Sequence, residues 1–183
     1  NYYWHVFDYM GGASSFDNIV IVNEIVSEAP DVPGIDGVTI QGEISDAINL
    51  DTKLNGVTVT INMDNGNTVT TNTDSSGDYV LTGAYGTHIL TASKSGYCGL
   101  NEPIVVSETS TTFDRVMTQT PSSGDIRLVL TWGASPNDLD SYIKASVSGT
   151  VITVSYSNTD ASGISLDRDD QDGYGPETMT ITS

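Results

Sequence analysis

From Val38 to Met117, apolar and polar residues alternate in short runs, and turn residues separate the runs at regular intervals. Val57, Val59 and Ile61 fall on one side of an extended chain, with Thr58, Thr60 and Asn62 on the other. A period of two sets one face against a core and the other in water, which defines a half-buried β-strand. Asp64-Asn65-Gly66 follows, and Asn-Gly is the strongest short-range hairpin signal because both residues tolerate positive φ. Asn67–Thr73 is the expected return strand, and Asp74-Ser75-Ser76-Gly77 the next turn. Further strands are expected at 78–82, 87–93, 103–106 and 111–117. Short strands at this spacing fold as a sandwich. Thr, Ser, Gly, Asn, Asp and Val dominate the chain while Lys, Arg and Glu are scarce, a mixture poor for helices and good for strands and turns.

The rest of the chain divides around this segment. Residues 1–26 hold an aromatic strand (Tyr2, Tyr3, Trp4, Phe7, Tyr9), a Gly11-Gly12 break and the apolar run Asn18–Val26. Residues 27–37 form a Pro/Gly/Asp linker, residues 38–117 the sandwich, and residues 118–125 a second linker. Residues 126–183 open a second sandwich, with Ile126, Leu128, Leu130 and Trp132 on one face. Strands are expected at 139–147, 151–156 and 178–183, with an acidic loop at 167–177. A chain of 183 residues has room for two sandwiches of about 80–100 residues each. The expected class is all-β throughout.

Charge narrows the function. The formal net charge is -18, with only 6 Lys and Arg residues. Such a surface repels phosphate, which excludes nucleic acid and makes anionic membranes poor partners. Divalent cations are its natural counter-charge, although acidity also serves solubility alone. No apolar run approaches the ~20 residues of a membrane helix, so no membrane insertion is expected. The one cysteine, Cys98, allows no intrachain disulfide. It is either a buried apolar thiol or an intermolecular bridge, and burial is favoured because Cys is among the most often buried residue types. The chain begins at Asn1 rather than Met, so processing or a longer parent protein is expected. An extracellular or cell-surface location follows as the expectation. No Asn-x-Ser/Thr sequon occurs, while Ser/Thr-rich stretches remain open to O-linked sugar.

Two resemblances sharpen the fold. Residues 37–117 carry Gly42, Leu54-Asn55-Gly56-Val57-Thr58-Val59, Thr73-Asp74-Ser75-Ser76-Gly77-Asp78-Tyr79 and Ser95-Gly96-Tyr97. This resembles the carboxypeptidase regulatory-like domain, a transthyretin-like β-sandwich that is a non-catalytic accessory fold of secreted and surface proteins. Its turn chemistry is physically sound: Asp74 can accept from turn amides, Gly77 can take positive φ, and Tyr79 can anchor the core. Residues 125–183 carry Leu130-Thr131-Trp132, Asp138-Leu139-Asp140 and a loop closing in Gly173-Tyr174-Gly175-Pro176-Glu177. They resemble a second family of secreted β-sandwiches with no enzymatic role implied. The implied architecture is two Ig-like or transthyretin-like β-sandwiches in tandem.

Members of the second family continue with an aromatic strand, a Gly/Ser loop and an apolar strand. Here that pattern stands at the other end of the chain, in Tyr2, Tyr3, Trp4, His5, Val6, Phe7 and Tyr9 and then Ile19, Val20, Ile21 and Val22. Three arrangements accommodate this: internal closure of a circularly permuted monomer, one register of a tandem array, or donation of residues 1–26 to a neighbouring subunit. An open sandwich exposes unpaired edges, and strand addition satisfies both partners. A heterologous join that does not close into a ring builds a filament, so copies of the chain, joined head to tail, are the favoured partners.

The carboxylates supply the one candidate site. Asp138 and Asp140 stand at i and i+2 and would share a face of a strand. Asp167, Asp169, Asp170, Asp172 and Glu177 lie in the Gly-containing loop. Crowded carboxylates repel unless a cation joins them, and hard oxygen donors suit Ca²⁺. The spacing is not that of an EF-hand, since Arg168 would hold the first ligand position. A calcium site bridging the two segments is set against a solvated acidic loop whose side chains cap turns. Catalytic parts are missing by pattern: His5 and His88 lie in separate segments, with no Gly-x-Ser-x-Gly elbow and no zinc spacing. The expectation is a non-enzymatic, calcium-stabilised subunit of an extracellular filament. The alternative is an adhesive or glycan-binding accessory module, with Trp132 or Tyr174 as its aromatic platform.

Overall fold

The computed structural model describes residues 37–183, and all regular structure within them is β-strand. The aromatic strand and apolar strand expected in residues 1–26, and the linker that follows them as far as residue 36, lie outside the described residues. No helix among the described residues is long and apolar enough to cross a membrane.

The first sandwich uses eight strands: β1 (Val38–Asp46), β2 (Thr58–Asn62), β3 (Thr68–Asn72), β4 (Asp78–Gly83), β5 (Gly86–Ser93), β6 (Leu100–Val106), β7 (Ser110–Thr112) and β8 (Arg115–Met117). One sheet runs β3-β2-β5-β6; the other is β4-β1-β7, with β8 also on β1. The alternating residues of β2 do what their period demands: Val59 and Ile61 are fully buried, against Ile40, Ile44, Leu90 and Met117. Each large apolar side chain buried this way contributes about 1.5–3 kcal/mol relative to exposure. The Asp74 turn forms as its chemistry directs, with Asp74 Oδ1 accepting from the Ser76 and Asp78 amides at 2.8 and 3.1 Å. Thr73 closes the end of this core. Its buried hydroxyl donates to the Leu54 carbonyl and accepts from the Val57 amide, so two loop groups that water cannot reach are both satisfied. His88 is buried at the edge of this core, with Nε2 2.9 Å from the Ala84 carbonyl oxygen.

Two expectations, the strand at 111–117 and the burial of Cys98, are corrected by the structure. Residues 111–117 do not form one strand. β7 and β8 both run parallel to β1, on either side of an interruption at Phe113 and Asp114. Phe113 crosses β1 at Gly42, where its amide donates to the Gln41 carbonyl at 2.8 Å. The second linker is not free at its start: the Cys98 amide donates to Thr118 O at 2.8 Å, and the Thr120 amide to Gly96 O at 2.9 Å. Cys98 itself is half-buried rather than a core thiol.

The second sandwich holds β9 (Ile126–Leu130), β10 (Ile143–Val147), β11 (Thr150–Val154), β12 (Asp160–Ala161), β13 (Ile164–Arg168) and β14 (Glu177–Ile181). Its larger sheet runs β12-β13-β14-β9, and β10-β11 is a separate hairpin. Ser148 and Gly149 take φ of 49° and 81°, the two positive values of a type I′ turn. The strand expected at 139–147 is shorter than read, starting at Ile143, and β9 ends at Leu130, before Trp132. Thr178 Oγ1, fully buried, donates to the Ala47 carbonyl of the first sandwich at 2.9 Å and fastens the two together.

This second core is thin. Its buried apolar residues, among those described, are Val154, Ile164, Leu166 and Met179. Register explains the deficit. Ile126, Leu128 and Leu130 pair with Ile181, Met179 and Glu177, so they share the inner face with buried Met179. Yet they are 52%, 47% and 38% exposed. β9 is an edge strand whose inward side chains are only about half covered among the described residues.

Candidate functional site

Glu177 opens β14 on the inner face, opposite Leu130, and is only 1% exposed. Its Oε2 accepts from the Ser141 amide at 2.6 Å, while Oε1 is buried without a hydrogen-bond partner. Asp138 and Asp140 approach from the irregular segment 131–142 and not, as their spacing suggested, from a strand. One oxygen from each of Asp138, Asp140 and Glu177 lies within 4.8 Å of the others.

The Gly173-Tyr174-Gly175 sequence positions this approach. Tyr174 donates its amide to Gly133 O at 3.0 Å and accepts from the Trp132 amide at 3.4 Å. Gly175 has φ of 71°, and a Cβ there would stand 2.8 Å from Cζ3 of Trp132. Glycine is therefore required for the loop to lie against the Trp132 ring. The ring in turn donates Nε1–H to the Pro136 carbonyl at 2.9 Å, two residues before Asp138. Trp132, read on the apolar face with Ile126, Leu128 and Leu130, lies beyond the end of β9, half-buried over this loop.

The other loop carboxylates divide. Loss of solvent pushes the Glu177 carboxyl above the ordinary carboxylate range, the Ser141 contacts draw it back, and Asp169 raises it further. Asp138 is raised by desolvation first, then by Asp140, Asp169 and Asp170. Asp169 meets the Glu177 side chain and Asp170 acts on Asp138 through its charge, but the three-carboxylate group is Asp138, Asp140 and Glu177. Asp170 is 3% exposed; Oδ1 takes Nη2 of Arg168 at 2.9 Å and Oδ2 has no partner. Asp167 is directed elsewhere, accepting from the Ser165 hydroxyl at 2.6 Å and from Thr180 Oγ1. Asp167 stands two residues after Ser165, whose cross-strand partner is Thr180, so strand alternation sets it on that face, away from Met179 and Glu177. Asp172 is exposed and outside the three-carboxylate group. Sequence reasoning missed the Ser141 amide, a backbone donor that no residue type signals. It also missed that Arg168 neutralises Asp170. The assembly residues in 1–26 lie outside the described residues.

A groove of about 830 Å³ separates the two sandwiches, with Val129, Trp132 and Tyr174 on one wall and Cys98, Leu100 and Arg115 on the other.

No protein-family model matches the chain, and no curated protein matches it. Among solved structures it is similar to a type II cohesin–X-dockerin complex from Acetivibrio cellulolyticus, at 23% identity over 44% of this chain and 57% of that one, TM-score 0.35. It is similar to a streptococcal ancillary pilin at 14% identity over 80% and 59%, TM-score 0.38. The major pilin subunit of Bacillus cereus aligns at 17% identity over 46% and 30%, TM-score 0.33. The chain covers less than two thirds of each of these proteins, and at such scores they are partial likenesses and no more.

Proposed function

We propose that this chain is a structural subunit of an extracellular filament, in which residues 1–26 of one copy complete the second sandwich of the next. The observation that carries this reading is the half-covered inner face of β9 with its free edge among the described residues. One extended segment paired along β9 would satisfy its unpaired backbone groups, and a second laid across the inner face would cover Ile126, Leu128 and Leu130. The aromatic and apolar alternation of residues 1–26 is the chemistry such a cover needs. No catalytic role is assigned.

Complementation in trans tests this. A synthetic peptide of residues 1–26 is expected to bind the chain shortened to residues 27–183 and raise its melting temperature by roughly 5 °C or more at saturation. A peptide with the same composition in scrambled order should do nothing. Equal shifts from both peptides would sink the proposal.

A glycan-binding module is the second reading, favoured by one observation: Tyr174 is 66% exposed at the mouth of the groove that Trp132 lines. Tyr142 and Tyr156, also exposed, meet edge to face at 6.3 Å and so form no flat platform.

A further inference from the structure

We infer that Asp138, Asp140 and Glu177 hold a Ca²⁺ ion that ties segment 131–142 to the start of β14. This inference is independent of strand completion.

The donor set is the first argument. Three carboxylate oxygens within 4.8 Å of one another, with no His or Cys in the group, match a hard cation bound by oxygen. Calcium–oxygen distances of about 2.3–2.6 Å place ligands on opposite sides of one ion about 5 Å apart. Glu177 is 1% exposed, yet its Oε1 has no hydrogen-bond donor, and the side chain that meets the carboxyl besides Ser141 is Asp169, another carboxylate. A buried carboxylate oxygen left unpaired is costly, and native structures resolve it with a donor or an ion. No protein cation does so: among the described residues, none of the ion pairs includes Asp138, Asp140 or Glu177. Arg168, the cation of this loop, is committed to Asp170.

The ligands differ in kind, and this favours calcium over magnesium. Glu177 is fixed by its strand and by the Ser141 amide, whereas Asp138 and Asp140 are exposed on an irregular segment that can adjust. Calcium accepts such irregular, partly hydrated geometry, whereas Mg²⁺ demands a near-ideal octahedron and keeps most of its water.

The test is thermal melting of the full chain after EDTA treatment, with CaCl2 or MgCl2 added at equal ionic strength. At 5 mM, about the level that saturates sites of extracellular affinity, calcium should raise the melting temperature by about 3–8 °C, and magnesium by less than half as much. The double variant Asp138→Asn, Asp140→Asn changes only exposed side chains, so it should fold and lose the calcium response. Glu177→Gln should lose the response as well. It should also melt above the calcium-free parent, since the amide removes the buried negative charge. If Glu177→Gln fails to fold, the double variant alone decides. Equal shifts from calcium and magnesium, or a double variant that responds as the parent does, would overturn the assignment.

Discussion

Gly42→Ala is expected to lower the melting temperature by roughly 10–25 °C, about 2–4 kcal/mol for a sandwich of this size. Gly42 sits in β1 opposite Tyr79, and a Cβ built on it would lie 2.2 Å from the Phe113 carbonyl oxygen and 2.6 Å from its carbon. Both are backbone atoms and cannot swing aside. The Phe113 carbonyl is also held where it is, accepting the Tyr79 hydroxyl at 2.8 Å. Asp114, next along, takes the Glu43 amide on its Oδ1 at 2.9 Å. Adding one methyl group therefore pushes apart the crossing that lets β7 and β8 flank β1. Gly56→Ala is the control. Gly56 has φ of 69° but nothing within 4 Å of its would-be Cβ, so that variant should lose only the ~1 kcal/mol of a strained φ. Similar melting temperatures for the two variants would show that close approach at Phe113 is not what fixes glycine at position 42.

Leu128→Lys should leave the melting temperature of an isolated subunit within about 2 °C of the parent, yet weaken assembly at least 100-fold. Leu128 is 47% exposed, so in the isolated subunit the lysine ammonium can reach water. In a completed sandwich the same side chain, opposite buried Met179, would lie under the donated segment that covers the inner face. An unpaired ammonium buried there costs more than about 3 kcal/mol, and 1.4 kcal/mol is a tenfold change in affinity. Val151→Lys is the matched control, since Val151 is 62% exposed on the separate β10-β11 hairpin. That variant should assemble as the parent does. Sedimentation over a concentration series reads both. Unchanged assembly by Leu128→Lys would mean that β9 is not the acceptor.

The all-β class was legible because period-two alternation and turn residues are local properties. Asp74, Gly77 and Tyr79 announce their turn in the order in which they build it. The division of residues 111–117 into two strands was not legible. It depends on Phe113 passing over a glycine some seventy positions earlier, and nothing near Phe113 signals it. At the candidate site, composition pointed to the right region but not to the geometry. Asp138 and Asp140 were read onto a strand, although Pro136 and Asn137 immediately before them are turn formers. Asp167 looks equivalent to Asp169 and Asp170 in sequence, but it lies within β13 on the face of Ser165 and Thr180, whereas Asp169 and Asp170 lie beyond the end of that strand. The partial burial of Trp132 likewise depends on a loop that arrives some forty residues later.

The most direct measurement is electron microscopy of the purified chain, with and without residues 1–26, at the same concentration. Filaments from the full chain that vanish on truncation are the predicted result, and they would establish the subunit as structural. Monodisperse particles from the full chain would contradict the proposal and point to an internally closed sandwich.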